Sequence, residues 1–333
     1  MIRKIMYSMA LATASLCAAA QTSFVSEQDS LMSLAREWRD AGNYTEAISL
    51  YGRMKTDKAR LEAADTYLEM GNVVAALERA KRMRKDDSFA LKPDAMLIEA
   101  RCRQRQGFDH AARMLYRKLA RAGHAEAMFY YATMLRAQGH LPQAERMCQR
   151  AILADASLTP AHCLLSEVEE QMGHRYQALL PLMRYLLMAS DQGREEQARR
   201  LPALWRRGSM GLDVLGRRKA EEPYSEGMEA VIDSVVIAEP QAEASPKAVM
   251  DAMSRRTEAL LGRMRDTGEE NLDFWQVSYA DFLIEIYARG YTKAMVYFMF
   301  DQTYKPEVLL WLSENAGYFE DFRVWMEGRS AGL

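Results

Sequence analysis

The stretch from residue 38 to residue 47, Trp38-Arg39-Asp40-Ala41-Gly42-Asn43-Tyr44-Thr45-Glu46-Ala47, decides the fold. It joins the end of one predicted helix to the start of a second through Gly42, and a small alanine follows five residues later. The pattern recurs at steps of 29, 36, 32 and 34 residues, at Gly71, Gly107, Gly139 and Gly173. Glycine permits a left-handed turn, and a small alanine lets two helices approach closely. Because such a hairpin cannot bury both faces alone, five hairpins are expected to stack.

These hairpins resemble the tetratricopeptide repeat (TPR), a helix-turn-helix unit of about 34 residues. The first copy carries the family's signature residues Leu31, Leu34, Ala35 and Trp38, then Ala47, Ile48 and Tyr51. The fourth copy matches with Met128, Tyr131, Ala132, Leu135, Ala144 and Ala151. The resemblance covers residues 28–192 and implies an all-α, right-handed solenoid. The segment around Gly123 is also similar to the related Sel1-type repeat, which implies the same architecture.

Two copies depart from the family pattern. In the fifth, Glu169 stands where an aromatic residue or leucine is expected. In the third, Glu99 and Arg103 occupy nominal core positions, so we expect its first helix to be shifted in register. The shifted register places these apolar residues in the core: Ala95, Ile98 and Cys102.

The resemblance also implies a binding surface. In the TPR family, the inner surface of each first helix lines a concave groove that receives extended peptides or a partner helix. The corresponding residues here are Met32, Arg36 and Arg39 in the first copy, Leu61, Asp65 and Leu68 in the second, and Phe129, Thr133 and Arg136 in the fourth. The Lys/Asn carboxylate clamp of the chaperone-binding subclass is missing, which disfavours recognition of a C-terminal carboxylate. This mixed apolar and charged groove predicts a protein or peptide partner rather than a small metabolite.

The first 20 residues predict a secretory signal peptide. Arg3 and Lys4 precede an uncharged stretch that ends in three alanines, so cleavage is expected before Gln21. The stretch is shorter than the roughly 20 apolar residues of a spanning helix, although a retained signal anchor stays open. Lipidation at Cys17 also stays open, although no small residue directly precedes it. We expect an exported protein of the bacterial cell envelope, periplasmic, with no membrane span in its mature chain.

Composition excludes several other classes of protein. Hydrophobic residues make up 49% of the chain and charged residues 27%, as in soluble globular proteins, so low-complexity disorder is excluded. The formal net charge of −2 gives no overall basic excess. Nucleic acid is therefore not an expected partner.

Charge is unevenly distributed after the repeats. Residues 194–219 hold eight basic and three acidic residues, whereas residues 220–246 hold seven acidic residues and no basic one. We expect a helix over 194–207 and an irregular acidic linker over 208–246, in which the β-branched stretch 231–237 is extended. The linker could be mobile, pair with a partner strand, or lie as a strap across the solenoid. The expected domains are a signal peptide (1–20), the solenoid (21–192), a charged helix and linker (193–246) and a C-terminal region (247–333).

The C-terminal region is rich in aromatic residues. The stretch from Phe274 to Trp325 contains 15 of the 31 aromatic residues of the chain, in helical runs separated at Gly290 and Gly317. This predicts two degenerate TPR-like hairpins or a small helical bundle. Aromatic residues at helical spacing are more typical of a core than of a binding surface. An alternative function remains an outer-surface glycan-binding protein, with sugar stacking on three tryptophans: Trp275, Trp311 and Trp325.

No motif for catalysis or metal binding accompanies the repeats. The sequence lacks HExxH, GxSxG, GxGxxG, phosphate-loop and CxxC motifs. We therefore expect a non-catalytic protein with no cofactor and no metal. Three cysteines follow the signal segment, Cys102, Cys148 and Cys163, and are expected in the core, with a Cys148–Cys163 disulfide left open. The chain has five histidines, His110, His124, His140, His162 and His174. Four of them lie near turns, and all five are expected to be exposed.

Overall fold

The computed structural model describes residues 28–189, 193–206, 223–238, 245–267 and 273–330. Within these ranges all regular structure is helical, which confirms the all-α prediction. The chain divides into two compact units, residues 1–122 and 123–333. The predicted signal peptide lies outside the described residues.

The first unit contains three helical hairpins. They are α1 (28–40) with α2 (Tyr44–Arg53), α3 (Asp57–Glu69) with α4 (Val73–Lys85), and α5 (Lys92–Arg105) with α6 (Asp109–Arg121). Successive hairpins stack, because α3 packs against α2 and α5, and α5 packs against α4 and α6. This stacking is the TPR-like solenoid arrangement that the repeat pattern predicts.

The second unit begins with two more hairpins, α7 (Ala125–Ala137) with α8 (Leu141–Ala154) and α9 (Thr159–Met172) with α10 (Arg175–Met188). The remaining described helices are α11 (Gly193–Arg206), α12 (Pro223–Ala238), α13 (Pro246–Thr267), a π-helical turn (Gln276–Ala280), α14 (Asp281–Ala288), α15 (Thr292–Met299), α16 (Lys305–Glu314) and α17 (Ala316–Ser330). The helices α11, α12 and α15 pack against α10. The second helix of the fifth hairpin is thereby covered, and most of its side chains are buried.

All five predicted turns occur at their glycines. Gly42 has φ +80°, a left-handed value that L side chains rarely adopt, and the other four glycines have similar angles. The amide of Asn43 donates to the carbonyl of Trp38 at 2.8 Å across this turn, so the turn also caps the end of α1. Ala35 and Ala47 have no exposed surface, as expected of the small residues between α1 and α2.

The register predicted for the third copy is confirmed. Ala95, Ile98 and Cys102 lie in one buried cluster with residues of α3 and α4. Glu99 is also buried, and its carboxylate pairs with Arg84 of α4. A charged residue is tolerated at this nominal core position because the neighbouring hairpin supplies its partner.

The acidic segment 223–238 is a helix, so the prediction of an extended stretch over 231–237 was wrong. Met228 and Ile232 are buried one helical turn apart, whereas Glu229 and Asp233 both bind the guanidinium of Arg175 at the start of α10. Packing and ion pairing on these two faces override the β-propensity of the valines and isoleucines. As in the strap interpretation, α12 packs against α10, and two of its carboxylates, Glu229 and Asp233, bind Arg175. The rest of the predicted linker, residues 208–222 and 239–244, lies outside the described residues.

The C-terminal helices turn at Gly290, which has φ +73° as expected. The second predicted break, at Gly317, was wrong. Helix α16 ends at Glu314, and Gly317 already lies in the first turn of α17, which begins at Ala316. The break is at Asn315, whose side-chain amide donates to the carbonyl of Trp311 at 2.9 Å and so satisfies the end of α16.

Candidate partner-binding groove

In the first unit, two of the three predicted apolar groove residues lie half-buried at the edge of the core. Met32 of α1 packs against the cluster that contains Ala35 and Ala47. Leu61 of α3 packs against the next cluster, between α3, α4 and α5. Each therefore keeps part of its side chain available on the surface of a first helix.

The two arginines predicted on α1 share one carboxylate of α3. Arg36 Nη2 lies 2.5 Å from Glu62 Oε1, and Arg39 Nη1 lies 2.8 Å from Glu62 Oε2. Glu62 thus bridges both arginines and joins α1 to α3. Arg39 also lies 3.8 Å from Glu69, and burial, followed by the nearby Asp65 carboxylate, raises the pKa of Glu69. The charges of Arg36 and Arg39 are therefore compensated within the molecule.

Asp65 continues this pattern to α5, where its carboxylate binds Arg101. Leu68, by contrast, has no exposed surface and belongs to the core between α3, α4 and α5. Its place in the groove was therefore predicted wrongly. The guanidinium of Arg105 reaches the carbonyl of Leu68, so α5 closes over the end of α3 at this point.

In the second unit, the groove residues of α7 occupy a partly open helix face. Phe129 is half-buried and meets Tyr130 edge to face, with ring centres 5.1 Å apart. Thr133 is exposed, and its hydroxyl donates to the carbonyl of Phe129 at 3.1 Å. Arg136 forms an ion pair with Glu167 of α9.

Sequence reasoning missed the continuation of this charge pattern into α11. Arg200 of α11 lies 2.5 Å from Glu170 and 4.0 Å from Glu167, both on α9. One feature of the sequence could have indicated this pairing. Glu167 in the fifth copy is a carboxylate at the same groove position as Asp65 in the second copy.

The two units share one order of charges along their first helices. In the first unit, arginines of α1 and α5 flank carboxylates of α3. In the second, arginines of α7 and α11 flank carboxylates of α9. Each acidic first helix therefore bridges its two neighbours, which favours the observed stacking over alternatives that would place like charges together.

The histidines and cysteines do not all have the exposure that the sequence predicts. His110, His140 and His174 are exposed and His124 is half-buried, but His162 is buried, which corrects the expectation for that residue. Three cysteines in the described part of the chain are free thiols, so no Cys148–Cys163 disulfide is present there. Burial raises the pKa of the Cys102 thiol to about 11, which makes it unreactive at neutral pH.

The tryptophans of the glycan alternative are mostly core residues. Trp275 and Trp311 are 5% and 6% exposed, and Trp311 stacks on Tyr297 with ring centres 4.2 Å apart. Trp325 is half-buried and stacks on Phe282. Two of the three rings therefore offer little surface to a sugar.

The described residues contain neither a candidate metal site nor a helix suited to span a membrane. No group of three or more His, Cys, Asp or Glu side chains in this part of the chain could hold a metal ion. Among the same residues, none of the helices combines the length and apolar character needed to cross a bilayer.

Comparisons with known proteins add a weak structural likeness. No family model and no curated protein matches the sequence. A solved structure described as "Crystal structure of MamA" is similar at 18% identity and a TM-score of 0.34, over 46% of this chain and 92% of that chain. A likeness at this level assigns neither a family nor a function. The TPR-like description consequently depends on the hairpins and glycine turns of this chain itself.

Proposed function

We propose that this chain is a non-catalytic protein-interaction scaffold of the bacterial cell envelope, which holds partner segments along its first helices. The observation that carries the proposal is the half-buried apolar surface on those helices. Met32, Leu61 and Phe129 each lie at a groove position with part of the side chain accessible. Accessible apolar side chains on a rigid helical framework are typical of surfaces that bind protein segments.

The electrostatics of the groove support a protein segment rather than a small charged ligand. The groove arginines Arg36, Arg39 and Arg136 are paired with carboxylates of neighbouring first helices. A small anion would have to displace those carboxylates, whereas a peptide can bury apolar side chains and hydrogen-bond around the pairs. The partner would be an extended or helical polypeptide.

The location in the cell envelope rests on the signal-like residues 1–20. Export predicts a mature chain that begins at Gln21, and intact-mass measurement of the protein purified from its native host tests this directly. A mass corresponding to the uncleaved chain in the cytoplasmic fraction would contradict the proposed location.

The groove itself can be tested by site-specific photo-crosslinking in cells. A photoreactive residue replacing exposed Thr133 on α7 should give discrete crosslinked products, and one replacing exposed Arg146 on α8 should not. Phe129→Ala should abolish the Thr133 products because it removes the apolar contact beside them. Phe108→Ala is the matched control, because that phenylalanine is 55% exposed and lies outside the groove. Products that survive Phe129→Ala, or equal crosslinking from both positions, would contradict binding in the groove.

A further inference from the structure

The second helices of the first unit are unusually basic for a chain with a formal net charge of −2. Helices α4 and α6 together contain nine lysines and arginines but only two acidic residues, Glu78 and Asp109. Both helices pack against α5 and belong to one compact unit. The positive charge is therefore local, although the whole chain is slightly acidic.

Six of these cations repeat with the hairpin. They are Lys81, Arg82 and Lys85 on α4 and Arg117, Lys118 and Arg121 on α6. Each residue of the second set lies 36 residues after its counterpart, which equals the step between Gly71 and Gly107. All six are exposed, on the helix faces opposite the buried alanines. We call these six residues the basic face.

Most cations of the basic face are unpaired within the described residues, whereas the groove arginines form ion pairs. Arg82 pairs with Glu78, but the other five side chains make no hydrogen bond or ion pair within the described part of the chain. The groove arginines, in contrast, are paired across neighbouring helices. Five free cations at repeated positions leave a positive potential that can attract an anionic partner at little cost in broken contacts.

Apolar side chains accompany these cations. Val74 of α4 is 72% exposed and Met114 of α6 is 55% exposed. By helical periodicity, Val74 shares a face with Lys81 and Lys85, and Met114 shares one with Arg121. Cations around exposed apolar side chains are the combination with which amphipathic surfaces enter the headgroup layer of a membrane.

We propose that the basic face binds the surface of a bilayer containing anionic phospholipids. A nucleic acid is disfavoured because these two helices offer no exposed Phe, Tyr or Trp ring for stacking; Tyr116, the one such residue on them, is fully buried. An acidic peptide would need a cleft or complementary hydrogen bonds, whereas a charged headgroup layer needs only spread positive charge and shallow apolar contact. The chain would then be peripheral to a membrane through its second helices, with its first helices left free for partners.

Cosedimentation of the full chain with vesicles tests this proposal. Binding is expected to vesicles of equal parts phosphatidylcholine and phosphatidylglycerol, to weaken as salt is added, and to be much lower for phosphatidylcholine alone. The triple variant Lys85→Glu, Arg117→Glu and Arg121→Glu should lower partitioning at least about a hundredfold, since each cation near an anionic surface contributes about fivefold.

A matched control separates local from overall charge. Lys55→Glu, Lys58→Glu and Arg60→Glu make the same change in net charge at exposed residues of the same unit, in the loop before α3 and on α3, outside the second helices. This variant should retain most of the binding, and circular dichroism should show both variants folded. Equal losses in the two variants, or equal binding to both kinds of vesicle, would overturn the proposal. Binding to polyglutamate but not to anionic vesicles, abolished by the basic-face variant, would also overturn it and assign the surface to an acidic protein.

Discussion

Two histidines of the fifth hairpin should respond to pH in opposite directions. His162 on α9 is 1% exposed. Its Nε2 lies 3.0 Å from the carbonyl oxygen of Ala156, and its Nδ1 lies 2.9 Å from the hydroxyl of Tyr279. The carbonyl can only accept, so Nε2 donates to it and Nδ1 of the neutral ring accepts from the hydroxyl. The neutral ring is thus fully hydrogen-bonded.

Protonation of this ring is costly. Burial, with a smaller contribution from nearby Arg184, lowers the pKa of His162 to about 4, even though the Ala156 carbonyl and Asp155 act to raise it. Because the folded-state pKa lies below the unfolded value of about 6.5, this group stabilises the fold fully above pH 6.5. The contribution falls as pH drops toward 4 and amounts to about 2 kcal/mol lost between pH 7 and pH 5.

His174, at the turn before α10, has the opposite sign. Its Nδ1 lies 2.9 Å from Glu169, the buried carboxylate at the anomalous core position of the fifth copy. The hydrogen bond to Glu169 raises the pKa of His174, while burial partly opposes the rise. The stabilisation is present below pH 6.5 and disappears as pH rises through the folded-state pKa.

Urea denaturation between pH 4 and pH 8 and NMR titration of the histidine ring protons measure both effects. His162→Gln should flatten the loss of stability on the acid side, and His174→Gln should flatten the loss on the alkaline side. The ring signal assigned to His162 should not titrate until well below pH 6. A His162 signal that titrates near pH 6.5, or variants that leave both pH slopes unchanged, would refute the argument from burial and partners.

Three further predictions follow from particular contacts. Gly42→Ala should lower the free energy of unfolding by about 1–2 kcal/mol because φ there is +80°. Gly52→Ala, in the exposed part of α2, should raise it by up to about 1 kcal/mol. Hydrogen exchange over α1 and α2 should therefore become faster in the first variant and slower in the second, and changes of the same sign would contradict the argument. Asp65→Arg and Arg101→Asp should each destabilise, and the double variant should regain about 1 kcal/mol by restoring a pair, as a double-mutant cycle by urea unfolding would measure; strict additivity would contradict the bridge between α3 and α5. Arg175→Ala should speed hydrogen exchange in α12 because Asp233 and Glu229 lose their ion pairs with the guanidinium, although Glu229 still accepts from the amide of Tyr176; unchanged exchange would mean that these ion pairs do not hold α12.

The repeats could be predicted from the sequence because their determinants are local. A turn with φ above zero requires glycine, and Gly42 and its equivalents fulfil that requirement at regular steps. Helix α12 could not be predicted in the same way, because its helical state depends on Arg175 and on the apolar surface of α10, which are distant in the sequence. The break predicted at Gly317 was wrong because glycine is also tolerated in the first turn of a helix. The preceding helix, α16, is instead capped by the side chain of Asn315.

Only part of the groove could be predicted, because family positions specify a helix face but not its neighbours. Met32 and Phe129 lie on accessible surface as the resemblance implies, whereas Leu68, at the repeat position that Arg39 and Arg136 occupy in other copies, is enclosed by α5. The ion pairs could not be predicted from the sequence either, because Arg136 and Glu167 lie on different helices and each is an isolated charge within its own helix. Their pairing emerges only when successive first helices are stacked.

The paired charges also limit how the groove could select a partner. A carboxylate of a partner that displaced Glu62 from Arg36 and Arg39 would leave Glu62 partly buried without them, so the exchange would gain little free energy. The same holds for Glu167 beside Arg136. If partners bind as proposed, affinity would come mainly from apolar contact with residues such as Met32 and Phe129, while the fixed charges would exclude partners that place a like charge beside them. Long-range electrostatic attraction is then left to the unpaired cations of α4 and α6, which lie on the second helices rather than in the groove.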